Sequence, residues 1–388
     1  MIDTLKIVQK KGSIFLVVAS LIFAVAALVS CGGGRTTSAA QPGDSMEMRY
    51  AGLLDISEHP GFTEVTVRNP WDTLRTLGRY ILVPADSALP SDLPSGKVIR
   101  TPVKNALVYS TVHAGLISEL SAGRAVGGVC GAEYVNDSTL KQRLADGSLI
   151  DCGNSQNPDI ERIIKLRPDV IMLSPYENND KYGKVGELGI PIVECADYME
   201  TSALGRAEWV RFYGLLFGKR DASEQMFHDT EAEYLRLKEL AASASDRPSV
   251  LLDQRYGQVW HVPGGNSTLG RLIADAGGRN PFAEYSTSGS VALAPEKVLA
   301  DAHDADVWFV RYNQANEKTL EELGKDAAVN SQFKAFKEGN VYGCNTRYVD
   351  FYEETPFHPD RLLRDMINVI HPGLTGPDSL TVYYNKMR

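Results

Sequence analysis

A chain of 388 residues, 43% hydrophobic and 23% charged, is long enough to bury two cores and has the composition of an ordinary globular protein. Its formal net charge of −9, with no basic stripe anywhere along it, speaks against nucleic acid as a partner, because phosphate binding needs clustered cations.

Residues 1–31 read as a signal. Lys6, Lys10 and Lys11 precede an apolar run from Ile14 to Val29, which is short and one-sided for a membrane span. The run ends in Leu28-Val29-Ser30-Cys31 and resembles the lipobox of bacterial lipoproteins, a resemblance that implies cleavage before Cys31 and its acylation. A cleaved secretory peptide or a single anchor helix is the other reading; either way the chain is exported. Residues 32–45 are mostly small and polar and read as a flexible tether. An exported chain permits disulfides. Among Cys130, Cys152, Cys195 and Cys344, the pair Cys130–Cys152 is favoured, since both stand at the ends of predicted neighbouring strands, and the other pairings stay open. No CxxC or close Cys/His spacing suggests a zinc site.

Residues 46–96 form a predicted N-terminal β extension. FTEVTVRNPW alternates apolar and polar residues as a half-buried strand does, GRYILVP repeats the signal, and a Pro/Ser-rich linker follows from Pro84 to Gly96. In residues 97–220, strands NALVYS, RAVGGVC, DVIML and IPIVEC alternate with helices HAGLISELSA and DIERIIKL. That alternation implies an α/β lobe with a mostly parallel sheet covered by helices on both faces. SALGRAEWVRFYGLLFG reads as one amphipathic helix. Residues 221–246 read as the interlobe helix segment, with a helix from Asp221 to Ala244 that has no internal Gly or Pro and spans on the order of 36 Å. Residues 247–388 restart the alternation with SVLLDQ, STLGRLIADAGG, PEKVLADA, DVWFVRY, SQFKAFKEG, NVYGCN and PDRLLRDMINVI. One outline occurs in both lobes: NPDIERIIKLRPDVIMLS from Asn157 and LAPEKVLADAHDADVWFV from Leu293 each open a short helix with a proline and a glutamate before an apolar strand.

The ordered succession GRAVGGVC, NPDIERIIKLRPDVIMLS, LGIPIVEC, the long helix, PGGNSTLGRLIADAGGRNPF, LAPEKVLADAHDADVWFV and FKAFKEGNVYGC resembles the helical-backbone (class III) periplasmic binding proteins. These are the substrate-binding components of ABC importers for ferric siderophores, haem and cobalamin. The resemblance runs from about Lys97 to Gly373. It implies two Rossmann-like lobes joined by a rigid helix, with cargo held between them by a monomer that needs no resident cofactor. It also implies that one surface glutamate on each lobe docks on the permease dimer; by motif these are Glu161 and Glu296. An acid near the positive end of its own helix is the plainer explanation of each.

Loops at the carboxyl ends of the strands are expected to line the cleft. They supply Ser110, Thr111 and His113, Asn154 and Gln156, and Tyr176 from the first lobe. The second lobe supplies Arg255, Tyr256 and Trp260, Arg311 and Tyr312, and Arg347, Tyr348 and Tyr352. Tyrosines offer broad apolar contact with a polar tip, and arginine's fork pairs with carboxylate or catecholate oxygens. His113, with His358 or Tyr348 opposite, is a further candidate for ligating iron. Tryptophans that line the cobalamin cleft in some relatives are replaced here at matching loops by Ser155, Ser174 and Ser290, which disfavours that cargo.

The leading expectation is therefore a lipid-anchored importer component for a ferric siderophore or related chelate, facing the periplasm. Alternatives are a cobalamin or haem binder of the same fold, a zinc or manganese binder, which would need converging His and carboxylate ligands, and an exported enzyme. No G-x-S-x-G, H-E-x-x-H or G-x-x-x-x-G-K motif supports catalysis. GGNS at Gly264–Ser267 could hold an anion at a helix start but is a lone glycine-rich turn.

Overall fold

The computed structural model describes residues 43–177, 182–376 and 381–388. Cys31, almost all of the tether and Asn178 lie outside the described residues.

Alternating apolar residues in the N-terminal segment build a sheet that is dry on one face. Strands β1 (Asp44–Met46), β2 (Leu54–His59), β3 (Phe62–Asn69), β4 (Asp72–Pro84) and β5 (Lys97–Thr101) lie in that order. All pairings are antiparallel except β4–β5, where Tyr80 pairs with Lys97 and Leu82 with Ile99 in parallel register. Leu54, Ile56, Val65, Val67, Tyr80, Leu82 and Ile99 are buried in one cluster with residues of the first lobe, including Val193 and Phe212. The extension is thus a layer of that lobe. The boundary expected after residue 96 falls inside its sheet, because β5 completes the sheet through its pairing with β4.

The first lobe holds β6 (Ala106–Val108), β7 (Val126–Val129), β8 (Ile150–Asp151), β11 (Val170–Leu173) and β12 (Ile192–Glu194) in the order β12-β11-β6-β7-β8, all parallel. A small ribbon of β9 (Gly153–Asn154) and β10 (Asn157–Pro158) follows β8. Helices α1 (Thr111–Glu119), α2 (Ser138–Ala145) and α3 (Ile160–Leu166) connect these strands. The chain runs outward from β6 on one side and returns to β11 on the other, so strand order reverses at β6–β11, where a doubly wound sheet opens a crevice.

Between the lobes, the segment expected as one helix is two, α4 (Ala203–Glu208) and α5 (Val210–Leu216), which meet at Trp209. The buried Trp209 indole donates to Glu200, anchoring the joint. Helix α6 (Arg220–Ala242) is 23 residues long, about 35 Å at 1.5 Å per residue. It packs on α5 and on the closing helix α10 (Pro359–Ile370) of the second lobe. Between α6 and α10 in the chain lie α7 (Thr268–Asp275), α8 (Pro295–Ala302) and α9 (Leu320–Asp326).

The second lobe's sheet runs β13 (Val250–Leu252), β16 (Val307–Tyr312), β17 (Val341–Asn345) and β18 (Asn385–Lys386), parallel except for the last pair. Strands β14 (Trp260–Pro263) and β15 (Ser290–Leu293) form a separate antiparallel ribbon. The molecule is therefore α/β, with two parallel-sheet lobes, a long helix packed on both sides of the junction, and an N-terminal β layer. No helix among the described residues is long and apolar enough to cross a membrane.

Candidate functional site

Both sheets aim their strand ends at one open cleft of about 1970 Å³. From the first lobe, β6 delivers Ser110 and Thr111, the β9–β10 ribbon delivers Asn154 and Gln156, and β11 delivers Ser174 and Tyr176. From the second lobe come Tyr256 after β13, Arg311 and Tyr312 at the end of β16, and Arg347 and Tyr352 after β17.

Arg311 is partly buried, and burial opposes its charge. The Asp253 carboxylate, accepting from Nε at 2.7 Å and from Nη2 at 2.5 Å, nevertheless holds its pKa above the usual guanidinium range. Asp253 sits at φ +62°, a left-handed conformation that Asp tolerates better than most residues. Its carbonyl accepts from the Trp308 indole at 2.6 Å, so the bend after β13 is fixed from two sides. The Arg311 guanidinium also lies 5.2 Å from the Phe351 ring centroid and 5.7 Å from that of Tyr352. These are cation–π distances.

Four of the exposed tyrosines, Tyr134, Tyr176, Tyr256 and Tyr352, stand on the cleft wall, two from each lobe. Glu353 crosses toward the first lobe and accepts from the Thr111 hydroxyl at 3.1 Å. Burial raises its carboxyl pKa, which Thr111 only partly offsets.

Several expected cleft residues stand elsewhere. His113 is buried, with Nε2 2.7 Å from Asp197 Oδ1 and 3.3 Å from the Tyr213 hydroxyl; it turns into the core of the first lobe and cannot reach a ligand. His358 pairs with Glu119 at 2.8 Å outside the cleft lining, so the two histidines do not converge on iron. Trp260 is fully buried against Trp308 and Phe333 and donates its indole N–H to the Leu252 carbonyl at 3.1 Å, which makes it a core residue. Arg255 turns onto the Gly257 and Asp326 carbonyls, both at 2.8 Å. Tyr348 donates to the Ala315 carbonyl at 2.7 Å. Neither lines the cleft, and Ser290 lies on β15 away from it.

The expected Cys130–Cys152 bond is likewise corrected. Their strands are adjacent, but the Cys130 thiol is directed at the Cys152 carbonyl, 3.9 Å away, and all four described cysteines are free and buried. Burial pushes the Cys130 thiol up to about 12 and that of Cys152 up to about 11.

Glu133 and Tyr134 also line the cleft, and sequence reasoning passed over them. They occupy a short 3₁₀ turn after β7, reached through Gly131 at φ +74°, where a glycine avoids the Cβ penalty. The carboxyl-end rule that selected the other loops applies equally to this one.

Residues 114–348, more than half of the chain, match the periplasmic binding protein family. The chain belongs to that family. An uncharacterized lipoprotein of Methanocaldococcus jannaschii is 29% identical over 286 residues, covering 71% of this chain and 67% of its relative. A periplasmic haem-binding protein of Pseudomonas aeruginosa superposes with a TM-score of 0.57 at 16% identity, over 74% of this chain and 98% of its own. An ABC-type Fe3+-hydroxamate transport protein of Saccharomonospora viridis gives 0.55 at 15%, over 70% and 94%. At such identities the superpositions establish the fold. The family is one of periplasmic binding proteins, and this chain shares the architecture of the two solved proteins named above.

Proposed function

We propose that this binding protein is an exported lipoprotein, acylated at Cys31, that captures a ferric siderophore or a related metal chelate between its lobes. It passes the cargo to an ABC permease dimer, on which Glu161 and Glu296 dock. The observation that carries this reading is a cleft of about 1970 Å³ walled by exposed tyrosines from both lobes. That volume exceeds the roughly 300–1,000 Å³ of a typical small-molecule pocket and is far larger than a bare ion requires. Among the described residues, no three His, Cys, Asp or Glu side chains are grouped to hold a metal ion, which favours a cargo that brings its own ligands over zinc or manganese. Among the described residues, the cleft lining contains no Trp, Met or His, so an anionic or polar chelate suits it better than cobalamin. Glu161 and Glu296 are both exposed in the first turn of their helices, α3 and α8, as a docking role requires.

Equilibrium titration of the purified protein, followed by tyrosine and tryptophan fluorescence, tests the reading with ferric hydroxamate, ferric catecholate, haem, cobalamin, Zn2+ and Mn2+. Saturable binding of an iron chelate with stoichiometry near unity is expected. Binding of a bare ion alone, or turnover of the ligand, would overturn it.

A further inference from the structure

Among the described residues, two arginines line the cleft, and their surroundings differ in a way that assigns them different work. We propose that Arg347 selects an anionic chelate, while Arg311 positions the aromatic wall and reads no charge. This rests on the chelate reading above.

Arg311 has already spent its charge. Nε and Nη2 both donate to Asp253, and the guanidinium carbon lies over the Phe351 and Tyr352 rings. To an approaching anion, the Arg311–Asp253 pair is close to neutral. What it offers is a fixed position for Tyr352, an exposed ring on the cleft wall.

Arg347 is the opposite case. Its side chain is exposed and makes no hydrogen bond or ion pair among the described residues. Its backbone is nevertheless pinned. The Arg347 N–H donates to Asn345 Oδ1 at 3.3 Å, and the Thr346 N–H and hydroxyl donate to the Tyr312 carbonyl at 2.8 and 3.1 Å. The buried Asn345 amide donates in turn to the Gln314 carbonyl at 3.0 Å. The loop after β17 is therefore held by its main chain while the guanidinium projects with its donors uncommitted. A guanidinium presents up to five N–H donors in a planar fork that matches a pair of carboxylate or catecholate oxygens. Such charge-assisted contacts are stronger than neutral ones. The carboxylates on the cleft wall, Glu133 and Glu353, arise from other elements, and neither is paired with Arg347. Lys184 faces the same cleft from the first lobe, where its ammonium acts as a point charge without the fork's geometry.

The test compares two chelates of the same metal, a strongly anionic ferric tris-catecholate and a neutral ferric tris-hydroxamate, titrated at low and high salt into the wild type, Arg347→Ala, Arg347→Lys and Arg311→Ala. The wild type is expected to prefer the anionic chelate, with an affinity that falls as salt rises. Arg347→Ala should weaken that chelate by about ten-fold or more, flatten its salt dependence and leave the neutral chelate unchanged. Arg347→Lys should recover part of the loss. Arg311→Ala should weaken both chelates alike, because it releases Tyr352. An unchanged charge preference in Arg347→Ala, or a wild type that prefers the neutral chelate, would overturn the assignment. A folded wild type that binds neither chelate would instead overturn the chelate reading itself.

Discussion

Asp197 has no solvent contact, and burial alone would raise its pKa. The charge and hydrogen bond of His113, together with Arg206 at 3.0 Å and the Tyr213 hydroxyl at 2.8 Å, instead hold it well below the usual carboxylate range. A depressed folded-state pKa contributes stability that is fully present above the ordinary value of 3.8 and is lost as pH falls from there toward the lowered one. Wild-type stability measured by denaturant titration should therefore decline below about pH 4. Asp197→Asn should remove that part of the decline and, by leaving Arg206 and His113 without their carboxylate, lower stability by about 3–5 kcal/mol at neutral pH. A neutral-pH loss below about 1 kcal/mol would show that the group behaves like a surface pair. The same network explains why His113 misled at the sequence level. Its position after a strand end marks it as a cleft residue, while the partner that turns it inward is 84 residues away, and no local pattern reveals that pairing. Arg311 was legible only in its place: the end of an apolar strand puts it on the cleft wall, while the fork expected to meet a ligand is taken up by Asp253.

At the scale of elements, the loop from Arg49 to Leu53 is the least expected feature. Five consecutive backbone N–H groups are taken up by two buried carboxylates: Arg49, Tyr50 and Ala51 donate to Glu208, and Gly52 and Leu53 donate to Glu200, at 2.8–3.0 Å. The Tyr50 hydroxyl reaches Glu231 on α6 at 2.6 Å, and the Tyr50 ring packs against core clusters of both lobes. The extension is thus pinned at the junction, through main-chain bonds that depend little on its own sequence. That is why composition and periodicity recovered its strands but not its attachment. Glu208→Ala should strand three donors, on exposed Arg49, half-buried Tyr50 and buried Ala51, and cost about 3 kcal/mol, seen as a lower denaturant midpoint. A change within about 0.5 kcal/mol would show that Glu200 and the Tyr50–Glu231 contact hold the loop without Glu208. The break at Trp209 was hidden for a related reason: apolar residues continue at helical spacing across it, and only the tertiary anchor of the indole marks the joint.

For the whole molecule, the two-lobed plan was readable because parallel strands and amphipathic helices leave strong periodic signals, and because the Glu161 and Glu296 outline recurs. How the cleft is furnished was only half readable: loops could be ranked by position after a strand, but Arg255 and Tyr348 turned onto nearby carbonyls that position alone does not reveal. If the recurring acids serve delivery, charge reversal of both, Glu161→Lys with Glu296→Lys, should abolish chelate uptake by cells while the dissociation constant of the purified protein stays within about twofold, since complementary charges mainly set encounter and register. A parallel loss of affinity in solution would place them in ligand binding instead.

The four buried thiols carry a practical corollary for anyone wishing to watch cargo arrive. With Cys130, Cys152 and Cys344 pushed up to between about 11 and about 12, almost none of each is thiolate near neutral pH, and thiolate is the form that alkylating dyes attack. A cysteine introduced on the rim, as in Tyr256→Cys where the native side chain is 87% exposed, would be labelled ahead of them. The folded body thereby supplies a silent background on which one environment-sensitive fluorophore can report occupancy in real time.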